Sequence, residues 1–193
     1  MINKNFFLEL KKDYEQRGRE RSKIIGLANL VLHDSKRVIF SLHRADVKRA
    51  KELLDNVEKI LVDLEKNFGA ARINIEGAYK AAAEEYVEAK MFYNIMAGQK
   101  IDKIKGVKLD LESLLGGICD LTGELVRRAV NLAGEGKFSE VKKIKDVIKE
   151  IMAELVEFDM TGYLRTKYDQ AKTNLKKIEQ ISYEIKLREK LNK

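Results

Sequence analysis

The sequence predicts an all-α protein, a single domain over residues 1–193 built as a bundle of six to seven helices. Three observations predict it. Apolar residues recur at helical spacing along nearly the whole chain. There is no proline, so nothing removes a backbone donor inside a long helix. No segment alternates apolar and polar residues over a strand length, and no hairpin dipeptide separates two such segments. Charged residues make up 36% of the chain, and the excess lies in Lys, Arg and Glu, which are good helix formers. A hydrophobic share of 45% suffices for a sizeable core.

The elements follow in order. Residues 5–32 carry Phe6, Phe7, Leu10, Tyr14, Ile24, Ile25, Leu27, Ala28, Leu30 and Val31 at helical spacing. Asp34 or Ser35 is expected to cap a second helix, which carries apolar residues from Val38 to Leu64, with Gly69 at its end or at the start of the next helix. A third helix is expected from Ala70 to Met96, stopped near Gly98. Residues 98–109 hold Gly98, Gly106 and scattered Lys, and read as loop. Asp110 should cap a fourth helix, with Glu112 in its first turn favouring the helix dipole. Residues 133–137 read as a turn, and Ser139 as the cap of a fifth helix. The chain should bend around Asp159 to Gly162, then form a last helix to about Arg188, with residues 190–193 frayed. Long amphipathic helices often bury a second face against another subunit, so an oligomer is expected.

Composition narrows the function. The formal net charge is +7, which suits a polyanionic partner and equally suits solubility alone. Cys119 is the single cysteine, which excludes an intrachain disulfide and a thiolate zinc cluster from one chain. It reads as a small buried apolar residue. No apolar run approaches the roughly 20 residues that span a bilayer. The first residues lack the basic and apolar pattern of a signal peptide, so a soluble, cytoplasmic protein is expected. Phosphate-cradling loops, dinucleotide fingerprints and Ser-His-Asp sets are missing from the sequence.

Two acidic pairs stand out. Glu85 and Glu88 are three apart on the third helix, and Asp120 and Glu124 are four apart on the fourth, so each pair shares a helix face. Both sit among apolar residues such as Ala81, Ala82, Val87, Ile118 and Leu121. Like charges on an inward face cost several kcal/mol unless protons or cations compensate. Mg²⁺, with Mn²⁺ as a substitute, favours such carboxylate oxygens, and two ions about 4 Å apart can hydrolyse a phosphodiester. Acids at this spacing are also common on any charged helix, and Glu124 has Arg127 and Arg128 within reach as partners. A di-iron carboxylate bundle needs Glu-x-x-His motifs, whereas the only histidines, His33 and His43, lie far from both pairs in sequence. His43 reads as a capping or surface histidine.

Basic residues line the first two predicted helices. Arg17, Arg19, Arg21 and Lys23 lie on one, and Lys36, Arg37, Arg44, Lys48, Arg49 and Lys51 on the other. Arg37, Arg44, Lys48 and Lys51 form a stripe that can track phosphates, or a solvated face interleaved with Asp46, Glu52 and Asp55. Tyr14, Phe40, Tyr79 and Tyr86 are the aromatics available for base stacking.

Four separated segments resemble one family. Ser35-Lys36-Arg37-Val38-Ile39-Phe40-Ser41-Leu42-His43-Arg44, Glu85-Tyr86-Val87-Glu88-Ala89 and Asp120-Leu121-Thr122-Gly123-Glu124-Leu125 are similar to motifs of translin-associated factor X. The run from Lys167-Tyr168-Asp169 to Tyr183 resembles both translin and factor X. The resemblance implies about seven helices and a hollow, roughly octameric assembly. It implies a Mg²⁺-dependent endoribonuclease in which Glu85, Glu88 and Asp120 match the catalytic carboxylates and Glu124 a further acid beside them. RNA, and single-stranded DNA as a further ligand, are the implied partners, with Arg127 orienting Glu124 or a phosphate. Residues 97–109 are shorter than the matching segment of typical factor X, which implies a minimal, prokaryotic-type member that assembles as a homo-oligomer. Translin itself implies the alternative, a non-catalytic single-stranded nucleic-acid-binding protein.

Overall fold

In the computed structural model, residues 1–191 are described and form seven helices with no strand among them. They are α1 (Lys4–His43), α2 (Val47–Phe68), α3 (Ala70–Ile73), α4 (Gly77–Met96), α5 (Leu111–Gly134), α6 (Phe138–Leu155) and α7 (Gly162–Leu191). The all-α expectation holds. No described helix is long and apolar enough to cross a membrane.

The first boundary differs from expectation. Asp34 and Ser35 do not cap a helix; α1 runs straight through them to His43. Asp34 pairs with Arg37 one turn on, and Ser35 lies on the buried stripe Ile24, Ala28, Val31, Ser35, Val38 and Leu42. That stripe keeps helical spacing across the expected break, and packing overrides the local capping preference. The chain turns instead at Ala45, which adopts a left-handed φ of 60°. Asp46 then caps α2, its side chain accepting from the Arg49 N–H at 3.0 Å.

Gly69 ends α2 at a φ of 80°, a conformation that favours glycine. The expected third helix is broken by residues 74–76 into the one-turn α3 and the long α4. The loop between α4 and α5 is anchored by Ile104 and Val107, both buried in the core. Asp110 caps α5 as expected, accepting from the Ser113 N–H at 2.7 Å. Ser139 does not cap α6; the cap position is two residues earlier, at Lys137, and the helix starts at Phe138. The expected fraying at residues 190–193 is not seen through Leu191, since α7 continues to it. Residues 192–193 lie outside the described residues.

α4 is the centre of the bundle. It packs on α1 and α5, and also on α2. Tyr79, Ala82, Ala83, Tyr86, Val87, Glu88, Ala89, Met91 and Phe92 are all buried, so the helix has hardly a solvated face along its length. α5 in turn packs on α6 and α7. One contiguous hydrophobic core results. The first half of α1 projects from this body, and Phe6, Phe7, Leu8, Leu10 and Tyr14 on it are exposed.

Candidate active site

α4 and α5 approach closely because α5 carries Gly116-Gly117 at the crossing. A Cβ at position 117 would lie 2.6 Å from the Val87 Cβ and 2.7 Å from the Glu84 carbonyl oxygen. No side chain fits there, so the two helices meet backbone to side chain. The acids that follow on each helix are thereby brought opposite one another. Glu85 and Glu88 from α4 and Asp120 and Glu124 from α5 act on each other's ionisation, so the two sequence-separated pairs form one patch.

The patch is dry. Glu88 is only 8% exposed. Burial, reinforced by the charges of Glu85, Asp120 and Glu124, pushes its carboxyl up to about 9. Burial also raises Glu85, with Asp120 and Glu124 adding and the Lys36 ammonium opposing. No hydrogen bond from a described residue reaches Glu85 or Glu88. Asp120 is raised by burial despite its bond to Lys167. Glu124 behaves differently. Burial pushes it up, but hydrogen bonds from His43 and Arg127 outweigh burial and hold it below the usual carboxylate range.

His43 is not the surface or capping residue the sequence suggested. Its side chain is 5% exposed, and its ring lies 5.1 Å from that of Phe92. Its Nε2 lies 2.5 Å from Glu124 Oε2. Nδ1 is buried without a partner among the described residues, which leaves Nε2 as the proton-bearing nitrogen and Glu124 as the acceptor. Arg128 Nη1 donates to the His43 carbonyl at 3.4 Å, and Arg127 Nη1 to Glu124 Oε2 at 3.5 Å.

Three further residues enter from outside the expected set. Lys167 Nζ donates to Asp120 Oδ2 at 2.5 Å and to Glu84 Oε1 at 2.7 Å. The Tyr163 hydroxyl lies 2.7 and 3.0 Å from the two Glu84 oxygens. Burial disfavours the Lys167 ammonium, but Asp120 and Glu84 more than offset that and keep it protonated. As the side chains stand, no three acids, histidines or cysteines among the described residues form a ready-made metal shell. Asp120 is turned to Lys167 and Glu124 to His43.

The basic residues divide. Arg21 donates to the buried Glu76 at 3.2 Å, and Arg72 to the same carboxylate at 2.8 Å, so Arg21 braces α1 against the start of α4. Arg49 pairs with Glu52, Lys51 with Asp55 and Arg37 with Asp34, all on the surface. The Arg44 guanidinium stacks over Phe40 at 5.1 Å. Arg19 and Lys48 are exposed, and Arg127 alone of the expected set touches an acid of the patch. Of the candidate stacking aromatics, Tyr79 and Tyr86 are buried and cannot stack on bases, whereas Tyr14 and Phe40 are exposed. Tyr86 instead donates to Glu58 at 3.0 Å.

Comparison with known proteins decides the family. The sequence model of the Translin family matches residues 19–189. The chain belongs to the translin family. Translin of Gallus gallus is 35% identical over 92 residues, which covers 47% of this chain and 40% of that protein. The matched stretch thus spans well under half the length of the curated translins. A translin-associated protein X homolog of Schizosaccharomyces pombe is 26% identical over 205 residues, covering 95% of this chain and 88% of that protein. An uncharacterised protein of Methanocaldococcus jannaschii is 27% identical over 184 residues, covering 90% and 81%. The translin-family fold is also seen in solved structures. AfC3PO in complex with duplex RNA superposes with a TM-score of 0.86 at 23% identity, covering 97% of this chain and 99% of that one. Apo-NeC3PO does so with a TM-score of 0.84 at 20% identity, covering 95% and 98%.

Proposed function

We propose that this translin-family chain is a Mg²⁺-dependent endoribonuclease, with Mn²⁺ able to substitute, working as a homo-oligomer. Glu85, Glu88, Asp120 and Glu124 are its cation-holding carboxylates. One observation carries the reading. Four carboxylates from two helices share a patch dry enough to push Glu88 up to about 9. A protein that only bound RNA would gain nothing from clustered anions facing a phosphate strand. The donor set fits the group, since carboxylate oxygens suit a hard divalent ion. When bound, such an ion activates water and neutralises charge at the scissile phosphate.

The chain's own residues do the rest. Glu88 holds a proton at neutral pH and releases it when its carboxylate is needed as a ligand. His43 fixes one oxygen of Glu124 through Nε2–H, leaving the other directed by that constraint. Arg127 keeps Glu124 ionised and lies within reach of a phosphate. Arg19, Arg37, Arg44, Lys48, Arg49 and Lys51 position the strand through its phosphates, and exposed Phe40 offers a stacking face. Arg21 belongs to the same set, with its Nε bonded to Glu76 and the rest of its guanidinium exposed. The AfC3PO relative bound to duplex RNA supports RNA as the ligand. Exposed Phe6, Phe7, Leu8 and Leu10 support self-association through the projecting half of α1, and the family resemblance suggests an octamer.

A second reading, a non-catalytic binder of single-stranded RNA or DNA, is favoured by the Lys167–Asp120 contact, which neutralises an acid without a metal. One experiment separates the two. The oligomer is incubated with labelled single-stranded RNA in Mg²⁺ or chelator, beside Asp120→Asn. Mg²⁺-dependent cleavage lost in the variant, with RNA binding retained, is expected. Binding without cleavage by the wild-type protein returns the chain to the binder class.

A further inference from the structure

Lys167 reaches the acidic patch from α7, a helix that supplies none of the four carboxylates. Its side chain is 16% exposed and its ammonium bridges Asp120 and Glu84. Tyr163, four residues earlier on α7, binds the same Glu84 carboxylate, and Lys167 Nζ lies 5.3 Å from the Tyr163 ring centroid. Glu84 itself is seated over Gly116. A Cβ at position 116 would fall 2.0 Å from Glu84 Oε2 and 2.7 Å from its Cδ. Even alanine there would unseat the carboxylate. α5 therefore forgoes a side chain at 116, and the space is filled by a glutamate whose hydrogen-bond partners among the described residues are Lys167 and Tyr163.

Packing α7 against α5 does not require this. Apolar side chains hold two helices together at lower desolvation cost than a half-buried ion pair. The arrangement instead fixes one ammonium at the rim of the patch by an anchor that lies outside the four carboxylates.

We propose that Lys167 is the phosphate-contacting residue of this site, and that Glu84, Tyr163 and Gly116 are its positioning residues. This rests on the ribonuclease reading above. An ammonium offers three donors. In the unloaded site one goes to Asp120 and one to Glu84. When Asp120 turns to a cation, Glu84 and Tyr163 keep the ammonium in place, and the released donor meets a non-bridging phosphate oxygen of the RNA. Lys167 therefore competes with the cation for Asp120 before substrate arrives, and serves the phosphate afterwards.

The test uses the full-length oligomer and compares Lys167→Met, Lys167→Arg, Glu84→Gln and the Glu84→Gln/Lys167→Met double variant. Mn²⁺ binding is titrated without RNA, and single-turnover cleavage of labelled single-stranded RNA is timed. Lys167→Met is expected to bind Mn²⁺ about tenfold more tightly, because a positive charge beside Asp120 is gone. It should cleave at least about 100-fold more slowly, as when an oxyanion-stabilising donor is removed. Lys167→Arg should recover part of the rate. Glu84→Gln should slow cleavage about tenfold and weaken Mn²⁺ binding, and the double variant should be no slower than Lys167→Met. If Lys167→Met misfolds, Lys167→Arg and Glu84→Gln decide. Cleavage by Lys167→Met within about threefold of wild type, Mn²⁺ binding unchanged or weaker in it, or multiplying effects in the double variant would overturn the assignment. A wild-type protein that never cleaves RNA would instead overturn the ribonuclease reading, and the role of Lys167 with it.

Discussion

Glu88 sets the electrostatics of the patch, because it sits on a helix buried nearly all round. Its carboxyl is pushed up to about 9, mainly by burial. In the unfolded chain a glutamate titrates near 4.3, so folding takes up a proton between roughly 4.3 and 9. The stability linked to that proton is complete below the unfolded value and is lost as pH rises through about 9. Glu88→Gln removes this residue's share of the dependence, leaving that of Glu85 and Asp120. Its melting temperature should exceed that of metal-free wild type by roughly 3–8 °C at pH 8 and converge with it near pH 4. Thermal melts across that range check this, and a constant offset at every pH would contradict it. Cation binding at neutral pH should also release a proton, seen by calorimetry in buffers of different ionisation enthalpy.

The same scale shows what could be read without a structure. Glu85, Glu88, Asp120 and Glu124 were visible because their pairing is local, three or four residues along a helix. His43, Lys167 and Tyr163 were not. Their acidic partners lie 81, 47 and 79 residues away, and no periodicity links such positions. The bond from Arg21 to Glu76 was hidden for the same reason, since the two lie 55 residues apart. Charge identifies a residue that can meet a phosphate, but only the fold shows which charges are already committed.

At the scale of the element, the decisive contact is the α4–α5 crossing. Gly117→Ala would place a Cβ 2.6 Å from the Val87 Cβ, so the helices must separate. The expected cost is about 1–3 kcal/mol, typical of overpacking, measured by urea denaturation. The same shift should move Asp120 and Glu124 away from Glu85 and Glu88, so Mn²⁺ affinity should fall with stability. Gly123→Ala makes a control on the same helix, since its Cβ would meet only Asn174 Nδ2 at 3.4 Å. It should change both quantities little. Helix existence followed from periodicity, whereas boundaries did not. Asp34 and Ser35 have the chemistry of caps, but the buried stripe of α1 continues through them and wins. The real turn uses a left-handed alanine, Ala45, which no glycine marks. The short α3 was hidden because apolar spacing continues across residues 74–76.

For the whole molecule, the projecting half of α1 is the feature a single chain leaves unexplained. Met1, Ile2, Phe6, Phe7, Leu8, Leu10 and Tyr14 are exposed on or beside it. Replacing Phe6, Phe7 and Leu10 together by Ser should lower the oligomeric state, as read by light scattering, while helical content stays near wild type. An unchanged mass would place the subunit contacts elsewhere. The charge of +7 and the surface arginines and lysines of α1 and α2 predict RNA binding that weakens steeply with salt.

The proposed ribonuclease activity requires these four carboxylates to form one cation site. Anomalous diffraction from crystals of the protein grown with Mn²⁺ tests it most directly. Manganese density bounded by Glu85, Glu88 and Asp120, with Glu124 beside it on His43, is the expected result. Manganese bound elsewhere, with this patch left to Lys167 and the Glu88 proton, would contradict it.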